Sequence, residues 1–175
     1  MSVKRRLAKI VEKMYNEGLK DEHFVREATE KTLGGKCWDS TENEDKYDHI
    51  DFWWDSPKKG VIGIDVKGLK KSKRHDKEYD DTINWIELKN VYGLPGWIYG
   101  KSEYVAFRTK KNILFVRTTK LKDFAEKMVE GKETVHYNPQ EFYVPYQRNH
   151  RADLIIKIPT TDLVELMDFS IELDT

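Results

Sequence analysis

Two short runs constrain this chain more than any other feature: YDHIDFWW at 47–54 and VIGIDVK at 61–67. Each alternates at the period of a strand. Between them, Asp55 to Gly60 supplies the Asp, Ser, Pro and Gly of a turn. The pattern predicts a β-hairpin. A register symmetric about Pro57–Lys59 sets Asp51 opposite Asp65, Trp53 opposite Gly63 and His49 opposite Lys67. Alternation then gathers those six side chains on one face. The other face carries Ile50, Phe52, Trp54, Ile62, Ile64 and Val66. That face is uniformly apolar, and a slip of one residue would send half of each set to the wrong side.

The polar face of the hairpin carries the chemistry. Directly opposed residues have β carbons roughly 4.5–5.5 Å apart, where like charges repel. Asp51 and Asp65 therefore call for a compensating charge. A hard divalent cation suits them, because carboxylates, water and phosphate oxygens are the ligands Mg²⁺ or Mn²⁺ takes. Lys67 stands two residues beyond Asp65 on the same face, and Gly63 leaves room beside it. Two carboxylates, a hard cation and a lysine are the parts needed to hydrolyse a phosphodiester. The cation polarises phosphoryl oxygens and acidifies bound water, and the lysine orients that water or offsets developing charge.

Elsewhere the chain reads as helices and further strands. Residues 4–17 form an amphipathic helix on Leu7, Ile10, Val11 and Met14, with Asn16, Glu17 and Gly18 as its end. A second helix is expected over 21–33, capped by Asp21, stopped by Gly34-Gly35 and packed through Phe24, Ala28 and Leu33. Strands follow at 84–90, 103–108, 112–117 and 153–158, with helices at 119–130 and 160–167. Residues 91–100 read as a structured loop and 132–150 as irregular chain. This is an α/β (α+β) fold: a mixed sheet flanked by helices rather than regular βαβ units. The 175 residues suit one domain, with 1–20 as an N-terminal helix, 21–158 as the core and 159–175 as a C-terminal helix and acidic tail.

The hairpin motif resembles the PD-(D/E)XK nuclease superfamily, the restriction-endonuclease-like fold. The match is Asp51 in HIDFWW followed by Asp65-Val66-Lys67 in VIGIDVKG. The order of elements from about 21 to 158 is compatible with that family's α-β-β-β-α-β core, here with an extra helix at each end. The small size and the WIELKN…GWIYG segment are most similar to small nucleases encoded by bacteriophages. The resemblance implies a deoxyribonuclease acting in phage or prophage DNA processing, recombination or repair. It also implies Mg²⁺ or Mn²⁺ held by Asp51, Asp65 and the Val66 carbonyl, and a glutamate from the preceding helix. Glu22, Glu27 and Glu30 are the candidates; Glu27, beside Phe24 and Ala28, is the first choice. Ile50 stands where a proline is common in the family. Many related nucleases dimerise, so a homodimer is compatible.

A competing acid-x-lysine triplet, Glu87-Leu88-Lys89, lacks a partner aspartate in a preceding hairpin strand. Residues 67–77 hold six Lys and Arg against one Asp. Lys70, Lys71, Lys73, Arg74 and Lys77 are thus expected to meet nucleic-acid phosphates, with Trp53 touching substrate. Residues 136–151 interleave aromatics with His136, Arg148, His150 and Arg151, a pattern that can also stack on bases. The alternative function is an inactive nucleic-acid-binding or assembly module.

Charge and composition narrow the classes. Lys plus Arg and Asp plus Glu both count 31, which excludes a uniformly basic coat protein. Locally the balance breaks: 39–55 carries seven acids and one base, 56–77 eight bases and two acids. A lone Cys37 excludes an internal disulfide and a cysteine zinc site. The charge-rich start argues against a signal peptide, and no apolar run approaches the roughly 20 residues of a membrane span. The expectation is a cytoplasmic protein.

Overall fold

A computed structural model of the chain describes residues 3–71 and 78–173, with side chains from Gly18 onward. It is a mixed α/β architecture. In chain order it runs α1 (Val3–Leu33), β1 (Lys36–Asp39), a π-helical turn (Glu44–Asp48), β2 (Phe52–Ser56), β3 (Gly60–Lys67), β4 (Ile83–Lys89) and a 3₁₀ turn (Trp97–Tyr99). It continues through β5 (Tyr104–Arg108), β6 (Asn112–Arg117), α2 (Thr118–Val129), β7 (Leu154–Pro159), α3 (Thr160–Leu166) and β8 (Phe169–Glu172).

Six strands form the main sheet in the order β1-β2-β3-β5-β6-β8, and β4 and β7 pair separately. Every neighbour pair in the main sheet is antiparallel except β3–β5. A parallel pair needs a long crossover connection. Residues 68–103 supply it, and β4 within that connection pairs with β7 instead of joining the main sheet.

The hairpin forms in the expected register, with Phe52 opposite Ile64, Trp53 opposite Gly63 and Trp54 opposite Ile62. Phe52, Trp54, Ile62, Ile64 and Val66 are buried together with Val25 of α1. Phe24, Ala28 and Leu33 pack against the same cluster, as their helical spacing predicts. The other sheet face meets a second core, where Val105, Phe107, Leu114 and Val116 join Leu121 and Ala125 of α2, Leu163 of α3, and Ile86, Leu88, Ile156 and Ile158 of β4 and β7.

Several expectations need correction. The two N-terminal helices are one helix of 31 residues, so Asn16-Glu17-Gly18 is not an end and Asp21 is not a cap. A glycine inside a helix costs about 1 kcal/mol but need not stop it. The stop is Gly34-Gly35, at φ 72° and 84°. A Cβ on Gly35 would lie 2.1 Å from the Asp55 carbonyl oxygen, so only glycine lets the chain pass β2 there.

β2 begins at Phe52, not at 47. Glu44–Asp48 coil into the π turn, and His49, at φ 54°, closes it. Ile50 leaves the face it was assigned: a Cβ on Gly63 would sit 3.2 Å from Ile50 Cδ1 and 3.3 Å from Trp53 Cζ3. The space over Gly63 is thus filled by the protein's own side chains. β1 and β8, four residues each, add edge strands that the sequence pattern does not announce.

Candidate active site

The ladder between β2 and β3 ends at Phe52–Ile64, one pair short of Asp51 and Asp65. The chain keeps the two acids together by other means. The Asp51 N–H donates to the Ile64 carbonyl at 2.8 Å. The Val66 N–H donates to Asp51 Oδ2 at 2.5 Å. In a strand, the N–H and C=O of one residue point to the same side. The Val66 carbonyl therefore faces the Asp51 carboxylate beyond the end of β2.

Asp65 is buried, with 3% of its side chain exposed, and its Oδ1 accepts from Lys67 Nζ at 2.6 Å. Its Oδ2 is buried without a hydrogen-bond partner. The Lys67 ammonium also lies over the Trp97 ring, 4.6 Å from its centroid. Burial works against the charge of Lys67. The carboxylates of Asp65 and Asp51 outweigh it and hold the ammonium above its ordinary range. Lys67 is thus a fixed cation at neutral pH and not a proton acceptor.

The acids show the opposite strain. Burial, with the neighbouring Asp65 charge, pushes the Asp51 carboxyl up to about 7. Burial also raises Asp65, against the lowering pull of Lys67. Glu22 of α1 is pushed up to about 7 by burial, then by Asp51 and Asp45. Glu22 and Asp51 line one cavity of about 280 Å³ with Leu19, His23, Arg26, Asp39 and Phe52.

Glu22 is therefore the helix glutamate beside the hairpin acids. Glu27 stands elsewhere, its side chain 66% exposed and 3.3 Å from His23 Nε2. Glu30 accepts the Cys37 N–H at 2.5 Å and holds β1. Asp45, on the exposed side of the π turn, adds negative charge that Glu22, Asp51 and Asp65 all feel. Sequence reading missed it, because nothing in TENEDKYD signals a π turn.

The remaining candidates are distributed as follows. His49 is not opposite Lys67 in a ladder. It packs over Gly100, where a Cβ would lie 2.7 Å from its own, and burial and then Lys67 lower its imidazole. Trp53 donates to the Glu44 carboxylate and sits across from Trp38 of β1. Glu87 reaches the site from β4: the Trp97 backbone N–H donates to its carboxylate, and Lys67 acts on it. Lys89, two residues on, is exposed at the last position of β4. Lys70 pairs with Asp80 in an isolated bridge, and Lys71 Nζ lies 5.2 Å from the Tyr79 ring. Lys73, Arg74 and Lys77 lie outside the described residues. Burial, then Glu30, pushes the Cys37 thiol up to about 12, which removes it as a nucleophile.

The donor set suits a hard cation. Asp65 Oδ2 is buried without a donor, the Asp51 carboxylate is anchored beside it on the Val66 N–H, and burial raises Asp51, Asp65 and Glu22 together. Among the described residues no three His, Cys, Asp or Glu side chains converge into a closed ligand cage. Two carboxylates and a carbonyl that leave positions for water and phosphate match the way Mg²⁺ is held.

Comparison of the chain with family models, curated proteins and solved structures finds no match. Among the described residues, no helix is long and apolar enough to cross a membrane.

Proposed function

We propose that this protein is a metal-dependent nuclease of the restriction-endonuclease-like type, hydrolysing DNA phosphodiester bonds. One observation supports the reading above the others: the buried Asp65–Lys67 pair at 2.6 Å, with Asp51 tied to the intervening Val66 N–H. A buried ion pair is a weak source of stability. Two further half-buried acids, Asp51 and Glu22, add to the cost of the cluster. A catalytic role accounts for that cost.

Asp51, Asp65 and the Val66 carbonyl would hold Mg²⁺ or Mn²⁺, with Glu22 reaching it through water. When bound, the ion polarises the phosphoryl group and acidifies a coordinated water. Lys67, kept charged by Asp65 and Asp51, offsets the negative charge that develops on the phosphoryl oxygens. The Trp97 ring lies against the Lys67 ammonium and supports it beside Asp65. Glu22, pushed up to about 7 and reaching the ion only through water, can take up a proton from the attacking water at neutral pH. A phage-related role in DNA processing within a host cytoplasm belongs to the same proposal.

The test is cleavage of linear, nicked, flapped and four-way-junction DNA in Mg²⁺ or Mn²⁺. Cutting that EDTA stops supports the reading. Binding without cutting in either metal favours the inactive nucleic-acid-binding module.

A further inference from the structure

Just before β7, which pairs with β4, stands a second buried carboxylate that the catalytic cluster does not use. Asp153 has none of its side chain exposed. Its Oδ1 accepts the Arg148 backbone N–H at 3.0 Å, and its Oδ2 accepts Arg148 Nε at 2.6 Å and Nη2 at 2.5 Å. The intervening residues form a tight turn. The Arg151 N–H donates to the Arg148 carbonyl at 3.2 Å, Gln147 Nε2 donates to the Arg151 carbonyl at 2.6 Å, and His150 takes a left-handed φ of 61°. A non-glycine residue there is strained and persists because its surroundings impose it.

The guanidinium is thus clamped along its Nε–Nη2 edge while 42% of the side chain remains exposed. Arginine has five N–H donors in a planar fork. Asp153 engages Nε and Nη2 and does not use the Nη1 donors, which suit a phosphate oxygen. Burying a carboxylate to brace an exposed cation gives little stability. It does give the cation a fixed direction.

The turn also lies beside the β4 strand that leads to the catalytic cluster: Asp153 directly precedes β7, Ile155 pairs with both Glu87 and Tyr146, and Glu87 feels the Arg148 charge. The Trp97 N–H donates to the Glu87 carboxylate, and the Trp97 ring covers Lys67 Nζ. We propose that Arg148, braced by Asp153, binds a nucleic-acid backbone phosphate flanking the one acted on at Asp51, Asp65 and Lys67. The strand would then run from the hairpin across Glu87 and Trp97 to the turn at 147–152. This inference rests on the nuclease reading.

The test pairs two readouts on the full chain. The first is the affinity for single-stranded and duplex oligodeoxynucleotides in EDTA over a salt series. The second is the split between KM and kcat in Mg²⁺. Arg148→Ala should weaken binding and raise KM roughly 10-fold, and should lower the log–log salt slope by about one phosphate contact. It should leave kcat near wild type, while the melting temperature falls because Asp153 is left buried without its cation, and Arg148→Lys separates that loss from the lost phosphate contact. Arg148→Lys should recover the slope but only part of the affinity, since an ammonium keeps the charge and loses the fork. Wild-type affinity, slope and KM in Arg148→Ala would overturn this inference and leave the nuclease reading standing. A wild-type protein that neither binds nor cuts nucleic acid would overturn both.

Discussion

The Val66 N–H donates to Asp51 Oδ2 at 2.5 Å. The residue between the two motif groups of β3 therefore anchors the acid that comes from before β2. Asp65 and Lys67 point to one side of β3, Val66 holds Asp51 along the strand edge, and the hairpin delivers all three groups to one spot. Asp51→Ala should then act twice, removing a carboxylate and freeing the Val66 N–H. Asp51→Asn keeps an acceptor oxygen for that N–H. The alanine variant should melt lower than the asparagine variant, while both lose cleavage to a similar degree. Thermal melts beside initial rates check this.

Helix α1 offers a paired comparison. Glu22→Gln should reduce cleavage roughly 10- to 100-fold, the range seen when a supporting group is removed from a metal site. Glu27→Gln should leave the rate unchanged, because that side chain is 66% exposed and faces His23. Equal rates for Glu22→Gln and wild type would remove α1 from the site.

The coupling of Lys67 to Asp65 predicts a non-additive double variant. Lys67→Met leaves the Asp65 carboxylate buried without its cation, and breaking a buried pair costs about 3–5 kcal/mol. Asp65→Asn with Lys67→Met removes both charges and should be less destabilised than Lys67→Met alone. Urea unfolding of the metal-free proteins measures the difference.

The acids also set a pH dependence in the metal-free protein. Burial, then neighbouring acids, pushes the folded Asp51 and Glu22 carboxyls up to about 7, from ordinary values of 3.8 and 4.5. Between about pH 4 and about pH 7 the folded state binds more protons than the unfolded chain, so these groups make stability fall as pH rises. The melting temperature in EDTA should decline across that window, and less steeply in Asp51→Asn. Adding Mn²⁺ at neutral pH should raise it in the wild type but not in Asp51→Asn. A flat profile in the wild type would show that these acids are not strained.

Much of this was legible in the residues because period-2 alternation is unambiguous when one face is uniformly apolar. The hairpin, its register from Phe52 onward and the shared face of Asp65 and Lys67 follow from that alone. Asp51 was placed correctly by neighbourhood and wrongly by ladder, since the π turn at Glu44–Asp48 has no sequence signature. The same turn removed His49 from its expected pairing and swung Ile50 over Gly63. Glu22 was hidden by a subtler effect. Glu27 neighbours the core-facing Phe24 and Ala28, but the acids stand beyond the end of β2, where α1 presents Leu19, Glu22 and Arg26. A helix face that points to the core is not the face that points to the site. Glu87 came to Lys67 only through the long crossover between β3 and β5, a relation that no local spacing encodes.

The most direct measurement is the initial rate of DNA cleavage in Mn²⁺ by the wild type, Asp65→Asn and Lys67→Met, each verified as folded, with EDTA as control. The account predicts cutting by the wild type that EDTA abolishes, and a loss of at least about 100-fold in each variant. Undiminished cutting in EDTA, or by folded Asp65→Asn, would contradict it.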